Sequence, residues 1–116
     1  MKKFLVLYMT PSAELDAWKA KPEDERKADE TKMQGEWQAW MQEHGSTFTE
    51  TGGAGSTKLV TPDGVSDIKN DIMLYSIVEG ESADDVAKLF VGHPHFGIPE
   101  STIQIMAMNA LPGMGA

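Results

Sequence analysis

Residues 72 to 78 read IMLYSIV, a run in which Ser76 is the one small polar residue and Tyr75 adds only a terminal hydroxyl. Side chains alternate between the two faces of a strand, so a run without apolar–polar alternation belongs to a strand covered on both sides. The same texture recurs at residues 4 to 9, FLVLYM, and at residues 102 to 108, TIQIMAM. In the last run Ile103, Ile105 and Ala107 share one face while Thr102, Gln104, Met106 and Met108 share the other. These three segments are expected strands of one sheet, and the rest of the chain is placed around them.

Downstream of the 72–78 run, Ser82-Ala83-Asp84-Asp85 has the form of a capping box with Asp in place of Glu. It predicts a helix over 83–91 that buries Val86, Ala87, Leu89 and Phe90, with Gly92 placed to stop it in the left-handed conformation. Upstream, residues 46 to 69 alternate short Thr- and Val-containing runs with GGAGS and Pro62-Asp63-Gly64. They predict an extended strand followed by a hairpin. GGAGS lacks the Lys-Ser/Thr ending and the spaced glycines of a phosphate-binding loop, so it is a connector.

Nearer the N-terminus, Thr10-Pro11-Ser12 ends the first strand, and Ser12 is placed to cap a short helix over 13–19. Lys21-Pro22 interrupts it. A long helix is predicted over 23–44, opened by the acidic Glu23-Asp24-Glu25 and closed by Gly45 as its C′ residue. Met33, Trp37, Trp40, Met41 and His44 recur at intervals of three and four, which makes them one stripe that packs on the sheet.

The resulting order is strand, helices, strand, hairpin, strand, helix, strand. That is an α+β, ferredoxin-like βαββαβ pattern with an inserted hairpin, in one domain over 1–109 with a flexible tail over 110–116. Helices cover only one face of such a sheet, yet three strands are apolar on both. The expected cover for the second face is the sheet of a twin chain, giving a two-fold homodimer.

Composition narrows the function classes. The 116 residues suffice for one core, and the apolar share of 41% with 24% charged is that of an ordinary globular protein. Ten basic against 18 acidic residues give a formal charge of -8, which repels nucleic-acid phosphates and anionic lipid. With no cysteine there is no disulfide, thiolate nucleophile or cysteine-based metal centre, in keeping with a reducing cytoplasm. The opening MKKFLVLYMTPSA imitates a signal peptide, but its apolar run is short and AELDAWKAK follows at once, so a first strand is the better reading. No stretch has the length of a membrane span.

Four segments, in this order and spacing, carry a resemblance: MKKFLVLYM, MQGEWQAWMQEHG, GVSDIKNDIMLYSIVEGES and KLFVGHPHFGIPESTIQIM. Over nearly its whole length the chain resembles the YCII-related proteins, small members of the dimeric α/β-barrel group. The resemblance implies the ferredoxin-like dimer. It leaves the reaction open, because relatives on that fold include isomerases, dehydrochlorinases, cofactor-free oxygenases and haem enzymes. It also implies a histidine–aspartate pair, in some members with the histidine early in the chain. Here the first histidine is His44, at the far end of the long helix. The matching motif is His93-Pro94-His95, with Asp71 as the candidate acid.

Histidine titrates near neutral pH, and two of the three in this chain flank Pro94 in a short loop followed by Phe96. His93 or His95 as base with Asp71 as orienting group, and Tyr8, Trp37, Trp40 and Phe96 as pocket walls, make up an acid–base site for a small metabolite. In that reading the protein is a small enzyme without a bound organic cofactor, of isomerase, lyase or dehydrochlorinase type. The alternative is a non-catalytic dimeric binding or accessory domain, in which His93 caps a helix end and Asn70-Asp71 forms an Asx turn at the start of the strand. A metal reading needs three or four ligands, and His-x-His supplies two with no third nominated by spacing.

Overall fold

The computed structural model describes residues 1–113. Its elements are β1 (Lys2–Met9), α1 (Ser12–Lys19), α2 (Glu23–His44), β2 (Phe48–Gly53), β3 (Thr57–Thr61), β4 (Gly64–Ile68), β5 (Ile72–Gly80), α3 (Ala83–Leu89) and β6 (Thr102–Ala107). Single 3-10 turns occupy Gly45–Thr47 and Pro94–Gly97. The main sheet has the order β2-β5-β1-β6 with antiparallel neighbours, and β3 and β4 form a separate hairpin. Leaving the hairpin aside, this is the strand order of the ferredoxin-like fold. The last three residues of the expected tail lie outside the described residues.

One face of the sheet meets the helices. Phe4, Val6 and Tyr8 of β1, Val78 of β5, Val86 and Phe90 at α3, and Trp40 of α2 form the buried core. The register sets this: Val6 lies opposite Ser76 on one side and Ile105 on the other, so their side chains share a face. Leu5, Leu7, Ile77, Tyr75 and Met106 fall on the opposite face, which no helix covers. The backbone of β5 also comes close to α3. A Cβ built at Gly80 would stand 2.5 Å from Cγ2 of Val86, which reserves that position for glycine.

Several local expectations are met and others corrected. Ser82 accepts a hydrogen bond from the Asp85 N–H at 3.1 Å, as the capping box requires. Gly92 has φ +78°, although α3 proper ends at Leu89 rather than Val91. The Asx turn is real: Asn70 Oδ1 accepts from the Ile72 N–H at 3.0 Å, while its amide donates to Thr57 at the base of the hairpin. Ser12 is not a cap. The cap position belongs to Pro11, and the Ser12 N–H instead donates to the Asp71 carboxylate at 3.3 Å. Gly45 does not use its left-handed freedom either, since with φ -81° the helix tightens into the 3-10 turn.

Candidate functional site: a cleft above a layer of buried rings

α1 and the first half of α2 stand apart from the sheet. No residue of α1 is buried, and of the 22 residues of α2 only Trp40 is. Asp29 ties the two helices together, accepting from Trp18 Nε1 at 3.1 Å and from Lys21 Nζ at 3.3 Å. Between them, the sheet and the loop at Gly97–Pro99 lies a cleft of about 700 Å³. Leu15, Trp18, Met33 and Trp37 wall it, and Met73 and Leu74 lie at its floor. Thr10 and Thr51 are the hydroxyl-bearing residues that line it.

Beneath the cleft is a layer of rings. The imidazole of His93 packs between Trp37 and Trp40, each with ring centroids 4.4 Å away, and Tyr8 contacts Trp37, His93 and His95 at 5.1, 5.5 and 5.7 Å. Both histidines are 1% exposed. The His95 N–H donates to His93 Nδ1 at 2.9 Å, so the neutral His93 ring carries its proton on Nε2, and that buried nitrogen has no partner among the described residues. Burial, with His95 and then His44 as like charges, pushes the His93 pKa down to about 4. The His95 pKa is lowered by burial against the opposing pull of the Met9 and Thr102 backbone. The Met9 carbonyl accepts from His95 Nε2 at 3.0 Å. At neutral pH both rings are uncharged.

The expected site residues therefore separate. Trp37 alone of the four expected pocket walls lines the cleft. Tyr8 and Trp40 are core residues, and Phe96 is 46% exposed beside a small depression of about 140 Å³ shared with Phe90 and Ile103. Neither histidine lines the cleft. Asp71 is exposed, with its carboxylate at the start of α1 and its carbonyl accepting from the Thr10 N–H at 2.8 Å. No hydrogen bond joins it to either imidazole among the described residues, so the His–Asp pair is not assembled here.

A connection that sequence reasoning missed runs from the core to the cleft. Tyr8 Oη, Ser76 Oγ and Thr51 Oγ1 form a chain of two hydrogen bonds, each 2.8 Å long. Its signal in the sequence was Ser76 within IMLYSIV, the small polar residue able to meet a buried tyrosine. Burial raises the Tyr8 pKa to about 12, so its phenol stays protonated. Tyr75, on the opposite face, pairs instead with Glu50. Among the described residues no three His, Cys, Asp or Glu side chains are grouped to hold a metal, and no helix is long and apolar enough to cross a membrane.

Fold and geometry together define an α+β, ferredoxin-like domain with an apolar cleft between helices and sheet. No family model and no curated protein sequence matches the chain. Among solved structures it is similar to the 5-chloro-2-hydroxyhydroquinone dehydrochlorinase TftG of Burkholderia phenoliruptrix AC1100, in complex with 2,5-dihydroxybenzoquinone. That likeness has 13% identity, covers 90% of this chain and 91% of that one, and has a TM-score of 0.49. A likeness so distant transfers neither residues nor activity.

Proposed function

We propose that the chain is a small-molecule-binding protein of the dimeric α/β-barrel type, with its ligand in the cleft between α1, α2 and the sheet. The cleft carries the reading. A cavity of about 700 Å³ with two tryptophans, Leu15, Met33 and Leu74 in its lining, and charged residues such as Lys21 and Glu30 beside them, is of the size that small-ligand sites have. The net charge of -8 argues against nucleic acid or anionic membrane as the partner. A thermal-shift screen of small metabolites tests it, run beside Ala17→Trp, which places an indole at a position of α1 that lines the cleft. A ligand that stabilises the wild type and not the filled variant is the expected result. Equal stabilisation of both removes the cleft as the site.

Homodimerisation through the open sheet face belongs to the same proposal. The chain exposes 8058 Å², whereas a compact monomer of its mass exposes roughly 6,200 Å². The difference exceeds the ~800 Å² that each partner buries in a standard interface. Leu5, Leu7, Ile77 and Met106 on that face are the apolar residues a second sheet would cover.

A second reading, an acid–base enzyme of isomerase, lyase or dehydrochlorinase type, is favoured by one observation. His93 Nε2 is buried beside Trp37 without a partner among the described residues, and a catalytic role is one of the explanations such an unpaired polar atom calls for. In that reading His93→Ala abolishes turnover of a ligand found in the screen while its binding persists.

A further inference from the structure

We infer that the hydroxyl of Thr51 is a directed hydrogen-bond donor into the cleft, and that the site takes a neutral, largely apolar molecule carrying an acceptor oxygen. This rests on the cleft being the ligand site. The chain of Tyr8, Ser76 and Thr51 holds three hydroxyl protons but only two hydrogen bonds, so one proton is left over. Three arrangements exist. If the chain runs from Thr51 through Ser76 to Tyr8, the spare proton stays on Tyr8, which is 0% exposed among the rings of Trp37, Phe90, His93 and His95. If both neighbours donate to Ser76, the spare proton is on Ser76, also 0% exposed. Each leaves a buried donor unmade, and that is the costly way to arrange a hydrogen bond.

Only the direction from Tyr8 to Ser76 to Thr51 leaves the spare proton on an accessible group. Thr51 is exposed and lines the cleft, so its O–H has open space before it. Donation along the chain polarises each successive hydroxyl, which makes the last one a better donor than an isolated threonine. The buried tyrosine thus sets the polarity of a group on the cleft surface.

Charge completes the class of ligand. Lys21 is paired with Asp29 at 3.3 Å and Lys32 with Glu36 at 3.9 Å, so both lysines lining the cleft are engaged. Glu14 and Glu30 line it without an ion-pair partner among the described residues. The site therefore disfavours an anion, and the acceptor it suits is a neutral oxygen such as a carbonyl.

Titration of the Trp18 and Trp37 indole N–H signals by nuclear magnetic resonance tests this with 1-indanone, indane and indane-1-carboxylate, which share one ring system. Wild-type protein is expected to bind 1-indanone about three- to tenfold more tightly than indane, the contribution of one neutral hydrogen bond. The advantage should vanish in Thr51→Val and persist in Thr51→Ser, which keeps the hydroxyl. A wild type that does not distinguish indanone from indane, or a preference that survives Thr51→Val, overturns the inference while leaving the cleft as the ligand site. Tighter binding of the carboxylate than of the ketone overturns the neutral class. No change in either indole signal with any of the three compounds overturns the cleft reading and this inference together.

Discussion

At His93 three demands meet in one side chain. Its Nδ1 accepts the backbone N–H of His95 and so caps the 3-10 turn at Pro94–Gly97, its ring fills the space between two indoles, and its Nε2 has no partner among the described residues. A ring used this way is stable only uncharged. Because the folded-state pKa is near 4 and an unfolded histidine titrates near ~6.5, the unfolded chain binds more protons between those values. Stability is then fully present above the unfolded pKa and is lost as pH falls towards the folded one. Urea midpoints should drop between pH 7.5 and 4.5, with a smaller drop in His93→Gln. An unchanged midpoint would mean that the ring is already hydrated. The neighbouring hydroxyl chain gives a second test. Ser76→Ala leaves the Tyr8 hydroxyl buried without a partner and should cost about 1–3 kcal/mol, whereas adding Tyr8→Phe to it should recover much of the loss. A double-mutant cycle in denaturant reads the coupling.

Among the elements, α2 is the one whose two halves do different things. Its C-terminal half anchors the core through Trp40, which is 8% exposed and touches Phe48, Phe90 and His93. Its N-terminal half projects beside α1 to form the cleft wall. Trp40→Ala should therefore cost about 3–5 kcal/mol by denaturant unfolding, and the half-buried Trp37 should cost less. Equal losses would show that Trp37, one turn nearer the cleft, is as firmly packed as Trp40. The stripe of Met33, Trp37, Trp40, Met41 and His44 was legible from its spacing, and it lies on the inner side of the helix. Which of its members was the anchor was not legible. That depends on where the helix leaves the sheet, which spacing along one helix does not encode.

At the scale of the molecule, the single chain has more surface than its mass warrants. Its radius of gyration is 16.4 Å, against about 13 Å for a compact chain of this length. The hairpin β3–β4 contributes, with Val60 and Val65 73% and 68% exposed, and an isolated two-stranded hairpin is marginal on its own. A homodimer closed through the sheet should sediment at twice the chain mass at micromolar concentration. Leu7→Glu, which sets a charge in the centre of the open face opposite Tyr75 and Gln104, should shift it towards monomer. A wild type that sediments as a monomer would remove the dimer from the proposal.

The sequence by itself determined the order of elements, the ferredoxin-like pattern, the capped helix at Ser82, the left-handed Gly92 and the two-faced strands. Each of these is a local matter of period, cap chemistry or backbone freedom, written in neighbouring residues. Only the tertiary structure decided which side chains meet. It joined Tyr8 to Thr51 through Ser76, across two strand pairings, and it drew Asp71 to the start of α1 instead of to a histidine. It also buried both His93 and His95 in the core, where sequence reading had one or the other as the base of an open site. The physical reason is distance along the chain: residues 68 and 86 positions apart are brought together by sheet register and helix departure angle, and no motif within either segment carries that information.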